Sequence, residues 1–538
     1  MAPAGPVPDP DLLALMPLSA REVLLIGDEG CGGLAATYAA RNPAARISHC
    51  EAGETPAGHG YDLVVMTRMP QDPAGLGALA ARVAPGGHLL VVAANRGHWT
   101  GLRALLRGDE APPGHTPEEL HKILEDQGFR VRRIKMPAAS GDASARPWAE
   151  AAGGLAPLAG VDAGALRQLL SANRLIAVAT RADAALPRPL RLHQVVLVPH
   201  FMDVRTALPA AALMAEPSLY VTQRKRDLAL PPGPPGIVIV QRPRISDPAL
   251  MLALIARAQA AGWLVVVEYD DDPALVARVR GDHDRPDIYR QNLSLAHAVQ
   301  TSTPYLGACF RALNDEVAVF ANVAGELAPP RPAPRPGQPL RVMYGALNRP
   351  GTAAIAAALA PAIAAQPGMT FEVIHDRPFF DALPAKHKNF SDGLSYGAYL
   401  GMMERSDVVL MPLAGLPDER GKSDVKWIEA ARSGAVAIAS APIYAKTIRD
   451  GETGFIARDP ADWAPLLIRL AGDPDLRARV AARARAEVAA HRMMAGQVAA
   501  RRDWYLDLWA RRHEIFARAL HRHPALAAAI ARATTTPG

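Results

Sequence analysis

The feature that most constrains this 538-residue chain is a repeated alternation of short apolar strands with alanine-rich helical segments. Continuous apolar strands separated by helices are typical of parallel sheets that are covered on both faces. The pattern occurs in three blocks, which run from EVLLIG to GHLLVVAA, from QVVLVP to AHAVQTS, and from LRVMYG to VAIAS. The sequence therefore predicts an α/β fold with three doubly wound domains, whose ligands bind beyond the carboxyl ends of the strands.

Proline-rich segments mark the borders between the blocks. LPRPLRL at 186–192 separates the first two, and GELAPPRPAPRPGQPL at 325–340 separates the last two. The six prolines of the second segment cannot sit in a helix or a central strand, so it is interpreted as a stiff linker. We predict domains over 1–183, 190–328 and 338–500, and helices over 501–538 that pack back across the domains.

Composition narrows the class of protein. The net charge is only +6 and the basic residues are spread along the chain, which argues against a nucleic-acid partner. Three cysteines without CxxC spacing are typical of a reducing cytosol. No apolar run approaches the roughly 20 residues of a membrane span, and the start lacks the pattern of a secretory signal. We expect a cytoplasmic protein whose membrane contact is at most peripheral, at the inner face of the cell membrane.

One strand of the second block ends in a cluster of acids, VVVEYDDDP at 265–273. Oxygen-ligand metals need several groups that converge on one point, whereas successive residues of a strand end point in different directions. Two other interpretations stay open beside a metal site. The acids can form a polar strand end that faces a cleft between domains, or they can cap the next helix.

The richest motif is GKSDVKWIEAARSGAVAIAS at 421–440. Ser423 is predicted to cap a helix that Gly434 ends. Lys422, Lys426 and Glu429 are spaced so that they lie along one face near the helix start. Two ammonium groups and a helix N-terminus attract a diphosphate, and a carboxylate one turn deeper can accept hydrogen bonds from ribose hydroxyls. The alternative is an ordinary solvated Lys/Glu pair.

Together with APIYAKTIRDGETGFIA at 441–457, this motif resembles the C-terminal domain of GT-B glycosyltransferases of the large retaining family 4 type. VMYGALNRPG at 342–351 is similar to the glycine loop of that domain, and SYGAYLGMMERSDVVLMPL at 395–413 to the segment before its donor helix. The resemblance implies two Rossmann-like domains and a nucleotide-sugar site, with Glu429 on the donor ribose. The other implied donor-binding residues are Gly345, Asn348, Lys422, Ser423 and Lys426.

The sequence departs from the family at one position. Two glutamates eight positions apart are usual there, and the first would fall on residue 421, which is glycine. The resemblance therefore supports a role for Glu429 and requires that contacts to the sugar come from elsewhere.

The second block resembles the acceptor-binding half of the same enzymes. MDVRTALPAAAL at 202–213 is similar to the opening loop and helix of that half, and Asn322 takes the place of a "PN" turn before the linker. The resemblance implies transfer of a sugar to a glycan, lipid-linked or protein acceptor, with retention and with no metal or other cofactor required. From the place of the acid cluster at a strand end beside the cleft, we predict catalytic roles for Glu268, Asp270 and Asp271, and acceptor-side roles for Arg205 and Asp272.

Residues 21–136 resemble class I S-adenosylmethionine-dependent methyltransferases. EVLLIGDEGCGG at 22–33 is similar to their first strand and glycine-rich turn, and ISHCE ends where the cofactor ribose would be held. The implied pocket residues are Gly27, Gly30, Gly32 and Glu51. The acid usual two positions before the first glycine is replaced by Leu25. A bifunctional glycosyltransferase and methyltransferase, a degenerate domain that binds no S-adenosylmethionine, and a non-catalytic glycan-assembly protein remain as alternatives.

Overall fold

The computed structural model describes residues 8–27, 31–51, 54, 58–70, 74–110, 112–138, 143–182, 185–198, 203–243, 245, 247–280, 286–332, 338–346 and 349–535. Contacts divide the chain into two compact units. The first comprises the residues up to Pro189 with Ala211–Tyr220, and the second comprises Leu190–Ala210 and the residues from Val221 onward. One six-stranded sheet lies in the first unit and two lie in the second, apart from Leu219 and Tyr220 of one edge strand, so the prediction of three Rossmann-like α/β sheets is confirmed.

The first unit, here called the N-terminal domain, has the strand order β2-β1-β3-β4-β6-β5. Its last strand in the sequence, β6, is antiparallel to both of its neighbours. The strands are β1 (Glu22–Ile26), β2 (Arg46–Cys50), β3 (Tyr61–Met66), β4 (Val83–Ala94), β5 (Phe129–Lys135) and β6 (Arg174–Arg181). The helices are α1 (Pro10–Leu13), α2 (Cys31–Arg41), α3 (Ala74–Ala80), α4 (Trp99–Arg107), α5 (Pro117–Asp126), α6 (Ala145–Ala159) and α7 (Ala163–Ser171).

The first sheet of the second unit forms the middle domain, with the strand order β8-β7-β9-β10-β11-β12. The strands are β7 (Leu190–Val196), β8 (Leu219–Lys225), β9 (Ile237–Gln241), β10 (Leu264–Glu268), β11 (Ala298–Thr301) and β12 (Val317–Val319). The helices are α8 (Leu208–Ala215), α9 (Pro248–Ala260), α10 (Pro273–Arg280), α11 (Pro286–Leu295) and α12 (Pro304–Arg311), and a π-helical turn spans Asp203–Ala207.

The second sheet forms the C-terminal domain, which is parallel throughout and has the order β15-β14-β13-β16-β17-β18. The order reverses between β13 and β16, and ligands of such sheets bind at that point. The strands are β13 (Arg341–Gly345), β14 (Thr370–Ile374), β15 (His387–Ser391), β16 (Val408–Met411), β17 (Val436–Ser440) and β18 (Phe455–Ala457). The helices are α13 (Thr352–Ala358), α14 (Ala360–Ala365), α15 (Arg377–Ala382), α16 (Tyr396–Arg405), α17 (Val425–Arg432), α18 (Ala441–Tyr444), α19 (Trp463–Gly472) and α20 (Pro474–His491).

Strand β17 shows why these apolar runs become central strands. Val436 and Ile438 pack in one core cluster, which includes residues of α13 and α19. Ala437 and Ala439 pack in another, which includes residues of α17. Because alternate residues of a strand face opposite sides, a strand with a helical layer on each side must be apolar at every position.

The chain returns from the C-terminal domain to the middle domain after α20. At the crossing, Ala324 donates its N–H to the Arg492 carbonyl at 2.7 Å and accepts from the Met494 N–H at 2.9 Å. The last helices, α21 (Val498–Ala510), α22 (Arg512–Arg522) and α23 (Ala525–Thr535), then place Ala519 and Leu526 in the core of the middle domain. Across the described ranges, we find no helix with the length and apolar surface that a bilayer crossing requires.

Candidate functional site

Helix α17 lies beside the switch point of the C-terminal sheet and is fixed at both ends. Trp427 donates its indole N–H to the Thr453 carbonyl at 2.9 Å, which ties the helix to the Asp450–Gly454 turn. Gly434 follows the helix with a φ of +72°, a left-handed conformation that glycine adopts without strain. The sequence motif therefore forms the predicted helix, ended by the predicted glycine.

The prediction that Ser423 caps this helix is wrong. Asp424 occupies the N-cap position, and its side chain makes no capping hydrogen bond. Arg492 binds the Asp424 carboxylate through two hydrogen bonds of 2.7 Å, and the Thr447 hydroxyl adds a third of 2.8 Å. The Ser423 hydroxyl instead accepts a 2.7 Å hydrogen bond from the Asn322 side chain of the middle domain.

The carboxylate of Glu429 is buried between two tyrosines of α16. Its oxygens accept hydrogen bonds from the hydroxyls of Tyr396 at 3.0 Å and Tyr399 at 3.1 Å. Burial raises the pKa of Glu429 to about 7, against the opposing effect of these hydrogen bonds and of the Lys426 and Arg432 charges. The two tyrosines belong to a segment that the sequence placed before the donor helix, but only the structure shows that they orient Glu429.

The ammonium group of Lys426 lies against the end of β13, where it donates a hydrogen bond to the Gly345 carbonyl. Burial, and then the nearby Arg349 guanidinium, hold the pKa of Lys426 well below its usual range. The structure therefore brings Gly345, Lys426 and Glu429 together at the switch point. Asn348, which the sequence placed in the same site, lies outside the described residues.

A buried acid that sequence reasoning missed joins β13 to the start of α13. Asp376 accepts hydrogen bonds from the hydroxyls of Tyr344 at 2.6 Å and Thr352 at 2.9 Å, and from the Phe379 N–H at 3.0 Å. It directly follows His375, a non-glycine residue with a φ of +66°. Its position after a central strand, in TFEVIHD, is the signal that points to it.

Lys422 does not share a helical face with Lys426 and Glu429, which corrects the prediction from spacing. The reason is that Lys422 ends a 3-10 turn, Pro417–Gly421, and precedes α17. Its ammonium group instead lies 2.8 Å from the Asp271 carboxylate of the middle domain. A residue predicted to bind donor and one predicted to be catalytic therefore meet directly.

Glu268, which the sequence analysis predicted to be catalytic, is fully buried at the end of β10. The Nε and Nη2 atoms of Arg205 lie 2.7 and 2.6 Å from Oε1 of Glu268. The same guanidinium donates hydrogen bonds to the Phe320 carbonyl and the Asn322 side chain. Burial raises the pKa of Glu268 while Arg205 opposes that rise. Glu268 and Arg205 thus form an internal ion pair of the middle domain.

Asp270 and Asp271 share a cation that sequence reasoning missed. The Arg242 guanidinium binds Asp270, and its second nitrogen lies 3.1 Å from Asp271. Burial works to raise the pKa of Asp270, but the Arg242 charge outweighs it, so the pKa lies below its usual value. Arg242 directly follows β9 with a φ of +45°, so its place after a neighbouring strand is the signal for it.

Asp272 accepts a 2.8 Å hydrogen bond from the Ala274 N–H at the start of α10. This is the helix-capping role that the sequence analysis left open for one or more of the four acids. Among the described residues, no group of three or more acids, histidines or cysteines could hold a metal ion. The four acids are thus divided among Arg205, Arg242, Lys422 and a helix start.

The structure also explains the glycine at position 421. A Cβ atom there would lie 2.8 Å from the Leu306 side chain and 3.5 Å from the Asp272 nitrogen. The segment around Gly421 packs against the start of α12 in the middle domain. The Thr303 hydroxyl of the middle domain donates a hydrogen bond to the Gly421 carbonyl at 3.5 Å. A nearby glutamate, Glu419, is buried and accepts from the Gly415 and Leu416 N–H groups. Glu419 therefore holds the turn.

The candidate pocket of the N-terminal domain is only partly described. Gly27 follows β1 with a φ of +155°, and a Cβ there would lie 1.9 Å from the Thr67 hydroxyl oxygen. Gly32 lies in α2 with open space beside it, and Glu51 is exposed after β2. Leu25 is fully buried within β1. Gly30 lies outside the described residues.

Comparison with protein families addresses the C-terminal domain. Residues 351–500, which include α17 and both tyrosines of α16, match the model of a family described as glycosyl transferase-like. The match begins after β13 and ends after α20, and the matched residues therefore include Lys426 and Glu429. Comparison with curated proteins finds no match to the chain.

Solved structures similar to this chain include three with ligands in their descriptions. HepE of Anabaena, in complex with UDP and glucose, is 12% identical, with a TM-score of 0.41, over 59% of this chain and 99% of its own. A TarM mutant of S. aureus, in complex with UDP, fondaparinux and α-GlcNAc-glycerol, is 13% identical, with a TM-score of 0.38, over 51% of this chain. The pneumococcal O-GlcNAc transferase GtfA, with UDP and GlcNAc, is 9% identical, with a TM-score of 0.36, over 51%.

The chain spans 55% of the TarM chain and 57% of the GtfA chain, so it matches about half the length of these proteins.

Proposed function

We propose that the second unit is a GT-B glycosyltransferase that transfers a sugar from a nucleoside diphosphate sugar to a hydroxyl group of a glycan, with retention and without a bound metal. The observation that carries the proposal is the pair Lys426 and Glu429 on α17, held at the switch point of a parallel sheet. Lipid-linked and protein acceptors are the other acceptor classes of the same reaction.

The C-terminal domain supplies the donor site in this proposal. The start of α17, Lys426 and Lys422 attract the diphosphate, since a helix N-terminus and ammonium groups stabilise negative charge. Glu429, oriented by Tyr396 and Tyr399, accepts hydrogen bonds from the ribose hydroxyls. Because Lys426 is partly buried, its interaction with a phosphate is screened less than at the surface.

The reaction needs little covalent chemistry from the protein. The bond between the anomeric carbon and the diphosphate oxygen breaks, and a bond to the acceptor oxygen forms on the same face. The acceptor proton passes to the departing diphosphate, whose charge the basic groups stabilise. Asp271, at the junction of the two domains, faces the acceptor hydroxyl and orients it.

A thermal-shift screen with UDP-, GDP- and ADP-sugars tests the proposal and identifies the base. We expect one series to stabilise the protein and to be hydrolysed slowly, since binding to the folded state alone raises its stability. Lys426→Met removes the stabilisation, whereas Lys386→Met, at an exposed position of the same domain, leaves it unchanged. Stabilisation of Lys426→Met equal to that of the wild type contradicts the donor-site assignment.

We further propose that the N-terminal domain has a methyltransferase-like fold but does not catalyse methyl transfer. The antiparallel β6, inserted between β4 and β5, supports the resemblance. The absence of methyl transfer is supported by Leu25, which stands where those methyltransferases usually have an acid. Calorimetric titration with S-adenosylmethionine is expected to give no binding heat, and saturable binding contradicts this part of the proposal.

A further inference from the structure

Three consecutive residues before α17 each bind a residue of the middle domain. The Gly421 carbonyl accepts from Thr303, the Lys422 ammonium pairs with Asp271 at 2.8 Å, and the Ser423 hydroxyl accepts from Asn322 at 2.7 Å. We call these three contacts the clasp. Asp271 and Thr303 follow β10 and β11, and Asn322 follows β12, so the clasp joins the strand ends of one domain to the helix start of the other.

The central contact of the clasp is an ion pair with partial access to solvent. The side chain of Lys422 is 29% exposed to solvent, and that of Asp271 is 16% exposed. Asp271 has a second cationic partner, Arg242, at 3.1 Å. For Lys422, by contrast, the described residues provide one ion-pair partner, which is Asp271. If Lys422 moves away, Asp271 therefore keeps a counter-charge, and Lys422 needs a new one.

We propose that Asp271 is an internal competitor of the donor diphosphate for Lys422, so that donor binding opens the clasp. This inference rests on the proposed function, because it takes the donor to be a nucleoside diphosphate sugar. A diphosphate carries more negative charge than a carboxylate and attracts the ammonium group more strongly. Lys422 stands four residues before Lys426, whose ammonium group marks the donor site beside Gly345.

The exchange has a second consequence at the acceptor side. Once Lys422 turns to the diphosphate, the Asp271 oxygen that had bound it, Oδ1, is free to accept a hydrogen bond from the acceptor hydroxyl. Arg242 holds Asp270 and Asp271 in place during the exchange, and is thus a positioning residue. The Asp271 carboxylate therefore binds Lys422 when the donor site is empty, and accepts a hydrogen bond from the acceptor when the donor site is filled.

A double-mutant cycle with UDP, GDP and ADP as probes tests the competition. Asp271→Asn is expected to tighten binding of the preferred nucleotide by about 3- to 10-fold, since it removes the competitor. Lys422→Met weakens binding, and in that background Asp271→Asn has no further effect. The matched control is Asp272→Asn, which removes a neighbouring charge but keeps a side chain able to cap α10.

Hydrogen exchange follows the clasp itself. Exchange over 417–423 is expected to speed up when nucleotide binds the wild type, and to be fast without nucleotide in Asp271→Asn. A wild type that binds nucleotide, with Asp271→Asn and Asp272→Asn binding equally, overturns this inference and leaves the proposed function standing. The inference is also overturned if Asp271→Asn still tightens binding in the Lys422→Met background. If the wild type binds none of the three nucleotides, the proposed function fails, and this inference with it.

Discussion

The Tyr399 hydroxyl donates a 3.1 Å hydrogen bond to the buried carboxylate of Glu429. Together with the Tyr396 hydroxyl, it fixes the carboxylate at the point where a donor ribose would lie in the proposed function. The same burial that makes this orientation strict makes ionisation costly, which raises the pKa of Glu429 to about 7. The candidate ribose ligand therefore titrates near neutral pH.

Nucleotide affinity should for that reason depend on pH through Glu429. A carboxylate with a pKa of about 7 is mostly ionised at pH 8 and mostly protonated at pH 6, and only the ionised form accepts hydrogen bonds with both oxygens. Affinity is expected to fall roughly tenfold between these pH values, in proportion to the ionised fraction. Calorimetry checks this, and Glu429→Gln serves as the control for titration of the ligand. An equal pH dependence in both proteins contradicts the assignment.

The Arg205–Glu268 pair should matter for stability. Arg205→Met leaves the fully buried Glu268 without its counter-charge, which typically costs about 3–5 kcal/mol. Arg205→Met/Glu268→Leu removes both charges and is expected to recover much of that loss. Urea midpoints measure the effect. Arg224→Ala, at an exposed pair with Asp227, is the control and should cost less than about 1 kcal/mol. A midpoint for Arg205→Met like that of the control contradicts a structural role for the pair.

Restoring the family's first glutamate at position 421 should not restore a family function. In Gly421→Glu the new Cβ lies 2.8 Å from the Leu306 side chain, and overpacking of this kind costs about 1–3 kcal/mol. The added side chain also begins 3.5 Å from the backbone nitrogen of Asp272. We expect a lower melting temperature, with part of the loss recovered by Leu306→Ala. Unchanged stability with faster transfer would show that the position is open to substrate.

Sequence reasoning worked where a local rule was sufficient. Helical spacing and the glycine after α17 place Lys426 and Glu429 correctly, because the helix geometry fixes both. Continuous apolar runs gave the three parallel-rich sheets for the same reason.

Partners that are distant in the sequence could not be derived in this way. Glu268 is bound by Arg205, 63 positions away, and Lys422 by Asp271, 151 positions away. Ser423 has the chemistry of a helix cap, but Asn322 takes its hydroxyl and Asp424 takes its place. In each case a tertiary contact outweighs the local preference.

The most direct test of the account is the binding of UDP, GDP and ADP to Glu429→Gln, measured by calorimetry at pH 8. Glu452→Gln is the matched control, since Glu452 is exposed in the turn that supports α17. We expect the wild type and the control to bind one nucleotide equally well, and Glu429→Gln to bind it at least about tenfold more weakly, a loss of roughly 1.4 kcal/mol. Equal affinity of Glu429→Gln and the wild type would contradict the placement of the donor site on α17.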